Sequence, residues 1–276
     1  MYGVDRLQMK LIDKVNNLVT APSRRRETPV QFRARVAGTE DLSAHQRRVT
    51  LTAPEFADFA VTGPDEYFGL LIPHPAAGLV MPDPGRLNTR QAVHRIGEHE
   101  RPELRWYTVR AHRPAVCEID VDFVLHEHAG PGTRWAAGAR QGDEVGFRAG
   151  GSGYQPPTGT QVLVADEAAL PALAAILESL PAETPDLRVY LEVGPDFRPS
   201  PIAAAVQPTL LRRDGEHGDR LIEALTANPP AAPEFAWVCG EAGMVARVRR
   251  HLLHECGMDR RQVLFSGYWK LGQARG

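Results

Sequence analysis

Arg105-Trp106-Tyr107-Thr108-Val109-Arg110, then Asp122-Phe123-Val124-Leu125-His126, then Gly130-Pro131-Gly132-Thr133-Arg134-Trp135-Ala136, read as strand, strand and a small-residue turn that opens a helix. Arg105 and Tyr107 are two residues apart, so on a strand they point the same way. Thr108 adds a hydroxyl. Thr133 is a residue type that caps helix N-termini, and helix N-termini attract anions. Arg134 adds positive charge beside it. This combination suits a ligand that is both aromatic and anionic.

Outward from that stretch, the chain from Val30 to about Gly150 reads as strands. Phe32, Ala34 and Val36 alternate with Gln31, Arg33 and Arg35, and 47–52 alternates again. Tyr67 to Ile72 is an apolar run that stops at Pro73. In 116–126, Ile119, Val121, Phe123 and Leu125 face one side and Glu118, Asp120 and Asp122 the other, the period of a half-buried strand. Residues 74–100 carry Pro, Gly and polar residues with little periodicity and read as a long loop. Short strands bounded by turns predict a small antiparallel barrel. Ahead of it, Leu7, Leu11, Val15 and Leu18 recur at helical spacing, and Arg24-Arg25-Arg26 lies in a Pro-bounded connector whose charges read as a solvated face.

The texture changes at Gly150-Gly151-Ser152-Gly153. Val162 to Ala165 is a continuous apolar run, as in a strand buried on both faces. Helix, strand, helix, strand, helix and strand follow, over 170–180, 188–193, 219–227, 235–239, 244–255 and 262–266. This alternation predicts a mostly parallel sheet with helices on both faces. The chain is long enough for two modest domains, with the boundary near 149–158. No G-x-G-x-x-G follows a strand, which argues against a simple dehydrogenase.

A net charge of −2 gives no global basic field for nucleic acid. The three cysteines, Cys117, Cys239 and Cys256, are far apart and offer neither a disulfide framework nor a C-x-x-C metal pair, which fits a reducing cytoplasmic setting. No run of about 18 apolar residues predicts a membrane span, and the scattered charges of the first residues do not make a secretory signal. The histidines do not form a metal site: His126 and His128 sit at a strand end and turn, and His251/His254 read as a surface pair.

A flavin needs an aromatic face, hydrogen bonds at its reactive ring nitrogen, and N–H groups and positive charge for its pyrophosphate. The opening stretch carries such groups at the end of a barrel that precedes an α/β domain. That order, with R-x-Y-T near the barrel's end, resembles the ferredoxin–NADP reductase superfamily. The finer pattern resembles the siderophore-interacting protein family, the flavin-dependent ferric-siderophore reductases. The segments that carry it are Arg47-Arg48-Val49-Thr50-Leu51, Gly63-Pro64-Asp65, the opening stretch, Ala165-Asp166-Glu167 with Leu170-Pro171-Ala172, Trp237 with Gly240-Glu241, and Gly267-Tyr268-Trp269-Lys270.

The resemblance implies a fold of an N-terminal antiparallel flavin-binding β-barrel followed by a C-terminal parallel-sheet nucleotide-binding domain. It implies an N-terminal helix and linker over 1–29, the FAD-binding barrel over 30–152, and an NAD(P)H-binding α/β domain with its tail over 153–276. It implies FAD contacts from Arg105, Trp106, Tyr107 and Thr108, from His126, and from Gly130, Pro131, Gly132, Thr133 and Trp135. Tyr107 and Thr108 are the catalytic pair, with Thr108 by the reactive ring nitrogen. Asp166, Glu167, Cys239, Gly240 and Glu241 stand at strand ends on the nicotinamide side. Lys270, Trp269, Arg134 and Arg48 are the candidates for an anionic ferric siderophore. Arg212 and Arg213 could meet an adenosine 2′-phosphate but read better as solvated surface. The donor is NADPH or NADH, with a ferredoxin as the alternative. The chain departs from the family's usual Ala-Ser at Gly132-Thr133, from Asp-Glu-Thr-Ala at Asp166 to Ala169, and from Tyr-Trp-Arg-Arg-Gly at Tyr268 to Gly272. Two rival readings stay open: a flavin oxidoreductase with another acceptor, and a siderophore- or flavin-binding protein without turnover.

Overall fold

In β2 (Gln31–Ser43) the expected alternation is kept: Phe32, Ala34 and Val36 are buried, and Arg33 and Arg35 are exposed. The computed structural model describes residues 24–26, 28–85, 88–125, 130–155, 159–182, 184 and 186–273. The helix expected over 7–18 and His126 lie outside them. The chain divides into two compact units, with the break at Ser152/Gly153.

The first unit is an antiparallel sheet. It contains β1 (Arg24–Arg25), β2, β3 (Gln46–Thr52), β4 (Tyr67–Ile72), β5 (Glu103–Thr108), β6 (Ala111–Arg113), β7 (Glu118–Val124) and β8 (Glu144–Ser152). The order is β5-β4-β8-β2-β3-β7-β6, with β1 added on β8. The two ends of this path, β5 and β6, are separated in sequence by Val109 and Arg110 alone. The sheet must therefore curl back on itself, and the covalent chain bridges its edges: the Arg110 N–H donates to the Asp120 carbonyl of β7 at 2.8 Å. This is the barrel that the strand pattern predicts. Its core is aromatic. Phe147 is stacked between its cross-strand partner Phe32 (4.9 Å) and Phe68 of β4 (4.7 Å), and Phe56 meets Phe32 and Phe147 edge-on.

Two local expectations are corrected. The 74–100 segment is not all loop: α1 (Thr89–His94) forms there, and the Asn88 side chain accepts from Gln91 N. One Asn cap and a single turn leave too short a periodic signal to read. Arg24-Arg25 is not a free connector but pairs with Gly151 and Ser152. Arg26 is not solvated either. It donates to Glu66 at 3.1 Å, and its guanidinium lies 4.6 Å from the Phe59 ring centroid.

The second unit is a parallel sheet of order β11-β10-β9-β12-β13. Its strands are β9 (Gln161–Asp166), β10 (Leu187–Val193), β11 (Thr209–Arg212), β12 (Phe235–Glu241) and β13 (Val263–Trp269). All of β9 is buried, as its unbroken apolar run requires. Following β9 are the short turn Glu167–Ala169 and α3 (Leu170–Ser179); α4 (Asp219–Ala227) and α5 (Ala242–His254) complete the helices, with α2 (Pro131–Gly138) in the first unit. Leu221 and Leu225 of α4 and Val245, Val248 and Leu252 of α5 pack on Val162, Val164, Ala236 and Val238. The chain steps outward from β9 to β10 and β11, then returns to β12 on the other side of β9. The strand order therefore reverses between β9 and β12, and the crevice outside their carboxyl ends is where open α/β sheets bind ligands. No helix of the described residues is long and apolar enough to cross a membrane.

Candidate functional site

Alternation along β5 divides the R-x-Y-T stretch. Tyr107 lies opposite Phe68 and Arg105 opposite Leu70, while Trp106 lies opposite Gly69. Arg105 and Tyr107 therefore share one face. Trp106 takes the other, packed edge-on to Tyr67 at 5.5 Å, and Thr108 follows it by alternation. Thr108 is buried.

The Arg105/Tyr107 face meets α2, which packs across β3, β5 and β7. Gly132 permits that approach. A Cβ there would overlap the Tyr107 hydroxyl, lie 3.0 Å from Tyr107 Cζ and sit 3.5 Å from Arg105 Cγ. Phe123 of β7 joins the aromatics, 4.3 Å from Tyr107 and 5.6 Å from Trp135 between ring centroids. The sequence marked Phe123 as a core residue, and its bridging role shows only in three dimensions. Burial raises the Tyr107 phenol well above its ordinary pKa, against a smaller pull from Arg105, so the ring carries a neutral O–H donor at any physiological pH. Among the described residues none hydrogen-bonds that hydroxyl or the Thr108 hydroxyl.

The helix begins three residues earlier than a Thr133 cap requires. Gly130 is the N-cap, without a side-chain cap hydrogen bond, and Pro131 is at N1, where its fixed φ and missing N–H cost nothing. Intrahelical bonding starts at Arg134 N to Gly130 O, 3.0 Å. The N–H groups of Gly132 and Thr133 therefore point off the helix end beside Tyr107. Arg134 is exposed. Arg105 pairs with Glu103 at 2.9 Å, and Arg110 reaches Asp122 at 3.5 Å. An aromatic ring, hydroxyls without a hydrogen-bond partner among the described residues, an uncapped helix start and nearby arginines are what a flavin and its phosphates require. Arg105, Tyr107, Thr108, Gly132 and Thr133 are the residues that would hold one.

Arg48 belongs to a different arrangement. Its Nε and Nη2 donate to both Asp122 oxygens at 2.7 and 2.9 Å, and that hydrogen bond raises its pKa. Asp120 lies between Arg48 and Arg113, and Arg113 also holds Glu118. The result is a charge ladder across β3, β6 and β7, Arg110–Asp122–Arg48–Asp120–Arg113–Glu118. The guanidinium proposed for an anionic ligand is committed to this ladder.

The second unit gathers its marked residues at the β9/β12 switch point. Asp166 ends β9 fully buried. Its Oδ1 accepts from Ala168 N and Ala169 N at 2.9 and 3.1 Å, and its Oδ2 from Glu241 N and Trp269 Nε1, both at 2.7 Å. Burial and the neighbouring Glu167 push the carboxyl up to about 7, while these donors pull the other way. Glu241 caps α5 through Met244 N at 2.8 Å and holds the tail through Leu271 N at 3.2 Å. Cys239 is buried, and Lys270 is exposed. Trp269 is reached because β13 runs three residues past the strand read from sequence.

Arg213 is not solvated surface. It makes a two-pronged pair with Glu167, 2.6 and 3.3 Å, and lies 3.7 Å from Glu192, a carboxylate that also accepts from Gly218 N. Arg212 donates to the carbonyls of Gly194 and Phe197. Glu192 was missed because in sequence it is one acidic residue within an apolar strand. His217 packs edge-on to Trp269 at 5.1 Å, and burial, then Arg213, lowers its pKa.

Comparison with known proteins agrees with both units. Residues 35–153 match the siderophore-interacting FAD-binding domain, and residues 158–272 match the siderophore-interacting protein model. The ferric vibriobactin reductase ViuB of Vibrio cholerae is 30% identical over 241 residues, which cover 84% of this chain and 86% of ViuB. The siderophore-interacting protein SipS from Aeromonas hydrophila is 30% identical with a TM-score of 0.70, over 88% of this chain and 93% of SipS. A siderophore utilization protein from T. fusca has a TM-score of 0.74 at 27% identity, over 91% and 97% of the two chains. A flavohemoglobin from Malassezia yamatoensis, at 11% identity and a TM-score of 0.58, shares the fold alone. With barrel, parallel sheet and both domain matches in sequence order, the chain belongs to the siderophore-interacting protein family.

Proposed function

We propose that this protein is an FAD-dependent ferric-siderophore reductase that draws electrons from a reduced nicotinamide and converts chelated Fe(III) to Fe(II). The single observation that carries the reading is the Tyr107–Gly132 approach. It sets an aromatic ring and an uncapped helix start side by side, within the stretch that matches the FAD-binding domain. Bound FAD supplies the exchange between two-electron and one-electron chemistry. The chain's own residues bind and orient. The Gly132 and Thr133 N–H groups and Arg105 receive the phosphates, Tyr107 and Thr108 offer their hydroxyls, and the Phe123–Trp135 packing keeps water from behind the ring. The similarity to ViuB favours a ferric siderophore as acceptor over a quinone or free flavin. Iron(II) is held less tightly than iron(III) by hard oxygen ligands, so reduction is also release.

The nicotinamide donor is assigned to the crevice at the β9/β12 switch point. Glu167, Cys239, Gly240 and Glu241 are the residues nearest to that role, and NADH and NADPH are both candidates. Lys270 and Arg134, both exposed, are the better candidates for the anionic chelate. The test is direct. The purified protein should be yellow, its flavin should bleach with NADH or NADPH under anaerobic conditions, and a ferric siderophore should restore the colour. A protein that stays colourless with added FAD refutes the flavin reading. Reoxidation no faster with ferric siderophore than with buffer refutes the acceptor.

A further inference from the structure

We infer that Asp166 is the positioning residue of the donor crevice, an internal carboxylate standing where the helix start after β9 would otherwise hold an anionic ligand. The inference rests on the reading of the second unit as donor-binding. In open parallel sheets, a ligand's phosphate sits at the switch point against the first N–H groups after the strand. Here those groups, Ala168 N and Ala169 N, are both taken by Asp166 Oδ1. Oδ2 reaches across the switch point to Glu241 N at the end of β12 and to the Trp269 indole at the end of β13. A carboxylate has about four acceptor positions. All of them are filled by protein donors, so no capacity is left for a cofactor.

Gly240 shows how closely the backbone has settled on this carboxylate. Its φ is +147°, and a Cβ would lie 2.6 Å from Asp166 Cγ. The glycine at this end of β12 is therefore required by its own surroundings, Asp166 and the Met244 methyl, which a Cβ would meet at 2.5 Å. Asp166 acts through others: it fixes the Glu241 backbone, and Glu241 in turn caps α5 and holds Leu271. It also sets the orientation of the Trp269 indole. The absence of G-x-G-x-x-G now has a physical counterpart. The slot that motif serves is filled by the chain itself, and the anionic part of the donor is held elsewhere.

The test uses the full-length, FAD-loaded protein and formate as a small carboxylate probe. Asp166→Ala empties the slot, so its unfolding temperature should fall by about 10 °C and recover as sodium formate replaces sodium chloride at constant ionic strength. The wild type should not respond. Asp166→Asn keeps the size but turns an NH₂ toward two N–H donors, and KM for the nicotinamide should rise at least about tenfold, with kcat changed less. If Asp166→Ala does not fold alone, recovery of folded, yellow protein on refolding in formate carries the proposal. No formate response in stability or refolding overturns it, as does a wild-type KM in Asp166→Asn. The formate titration is read by unfolding. If neither nicotinamide reduces the wild-type flavin, that overturns the donor reading whatever formate does.

Discussion

Replacing Gly132 with alanine isolates the contact that defines the barrel site, because α2 contains its own control. Gly132 and Gly138 are both in α2, and the chemical change is the same CH₂ at each. At Gly138 an added Cβ meets nothing within 4 Å, while at Gly132 it overlaps the Tyr107 hydroxyl. Alanine favours the helix over glycine by up to about 1 kcal/mol at either position. Only at Gly132 does an overpacking term of about 1–3 kcal/mol oppose it. Tyr107 cannot absorb the clash by a small rotation, since its ring is packed 4.3 Å from Phe123. Gly138→Ala should therefore be neutral to stabilising. Gly132→Ala should range from neutral to about 2 kcal/mol destabilising, and the two should differ by about 1–3 kcal/mol. At this chain length that is several degrees in unfolding temperature. Flavin content separates the site from mere stability. Displacing Tyr107 from the helix start should lower the flavin-to-protein absorbance ratio in Gly132→Ala and leave it unchanged in Gly138→Ala. Equal stability and equal flavin content in the two variants would refute the account of this site.

Arg48→Leu should cost about 1–3 kcal/mol, discounted for the guanidinium's partial exposure, because it strands Asp122 and Asp120 in the ladder. KM for a ferric siderophore should not move, and a rise in KM without lost stability would return Arg48 to the substrate. Arg213→Ala should destabilise by about 2–4 kcal/mol by leaving Glu167 and Glu192 facing each other. The ratio of NADH to NADPH reactivity in anaerobic flavin reduction should not change, whereas a shift toward NADH would mean that Arg213 reads the 2′-phosphate after all. Burial raises the Asp120 carboxyl, but Arg113, Thr50 and Arg48 outweigh it and hold the pKa below the ordinary 3.8. Its stabilising contribution is therefore complete above about pH 4 and lost as pH falls through the lowered value. Urea titrations of wild type and Asp120→Asn should converge below pH 4, and parallel curves down to pH 3 would contradict this.

What the sequence made legible were features whose signals are local. The period-two alternation of β2, the apolar run of β9, and the helix over Asp219–Ala227 stopped by Asn228-Pro229 carry their burial pattern within a few residues, whereas β7 alternates in sequence but is buried on both faces, Asp120 and Asp122 included. The site was legible as a neighbourhood but not as a set of contacts. Arg213 looked like surface because its partners lie 21 and 46 residues away, Glu192 in β10 and Glu167 in the turn after β9. Asp166 looked like a ligand contact because a carboxylate at a strand end usually is one. Its donors, Glu241 and Trp269, are 75 and 103 residues distant. Thr133 is a good cap by type, but Pro131 starts the helix and hands the cap to Gly130. Local propensity fixes where a chain turns, and long-range partners decide what each polar group is for.

The place of β8 in its sheet sets the order in which this chain can assemble as it is synthesised. β8 is the last strand made in the first unit, yet it lies between β4 and β2, and among the described residues no other strand pairs the β5–β4 ribbon with β2-β3-β7-β6, which it otherwise meets through the Val109–Arg110 link. Until residues 144–152 leave the ribosome, the nascent unit is two ribbons with open inner edges and the central ring of the Phe32–Phe147–Phe68 stack missing. Unpaired edges of this kind invite association with other chains. The second unit has the opposite schedule: β9, its central strand, emerges first, and each later strand adds outward. Protection is thus needed until β8 has emerged, and a truncation just before β8 should be far more aggregation-prone than one that ends just after it.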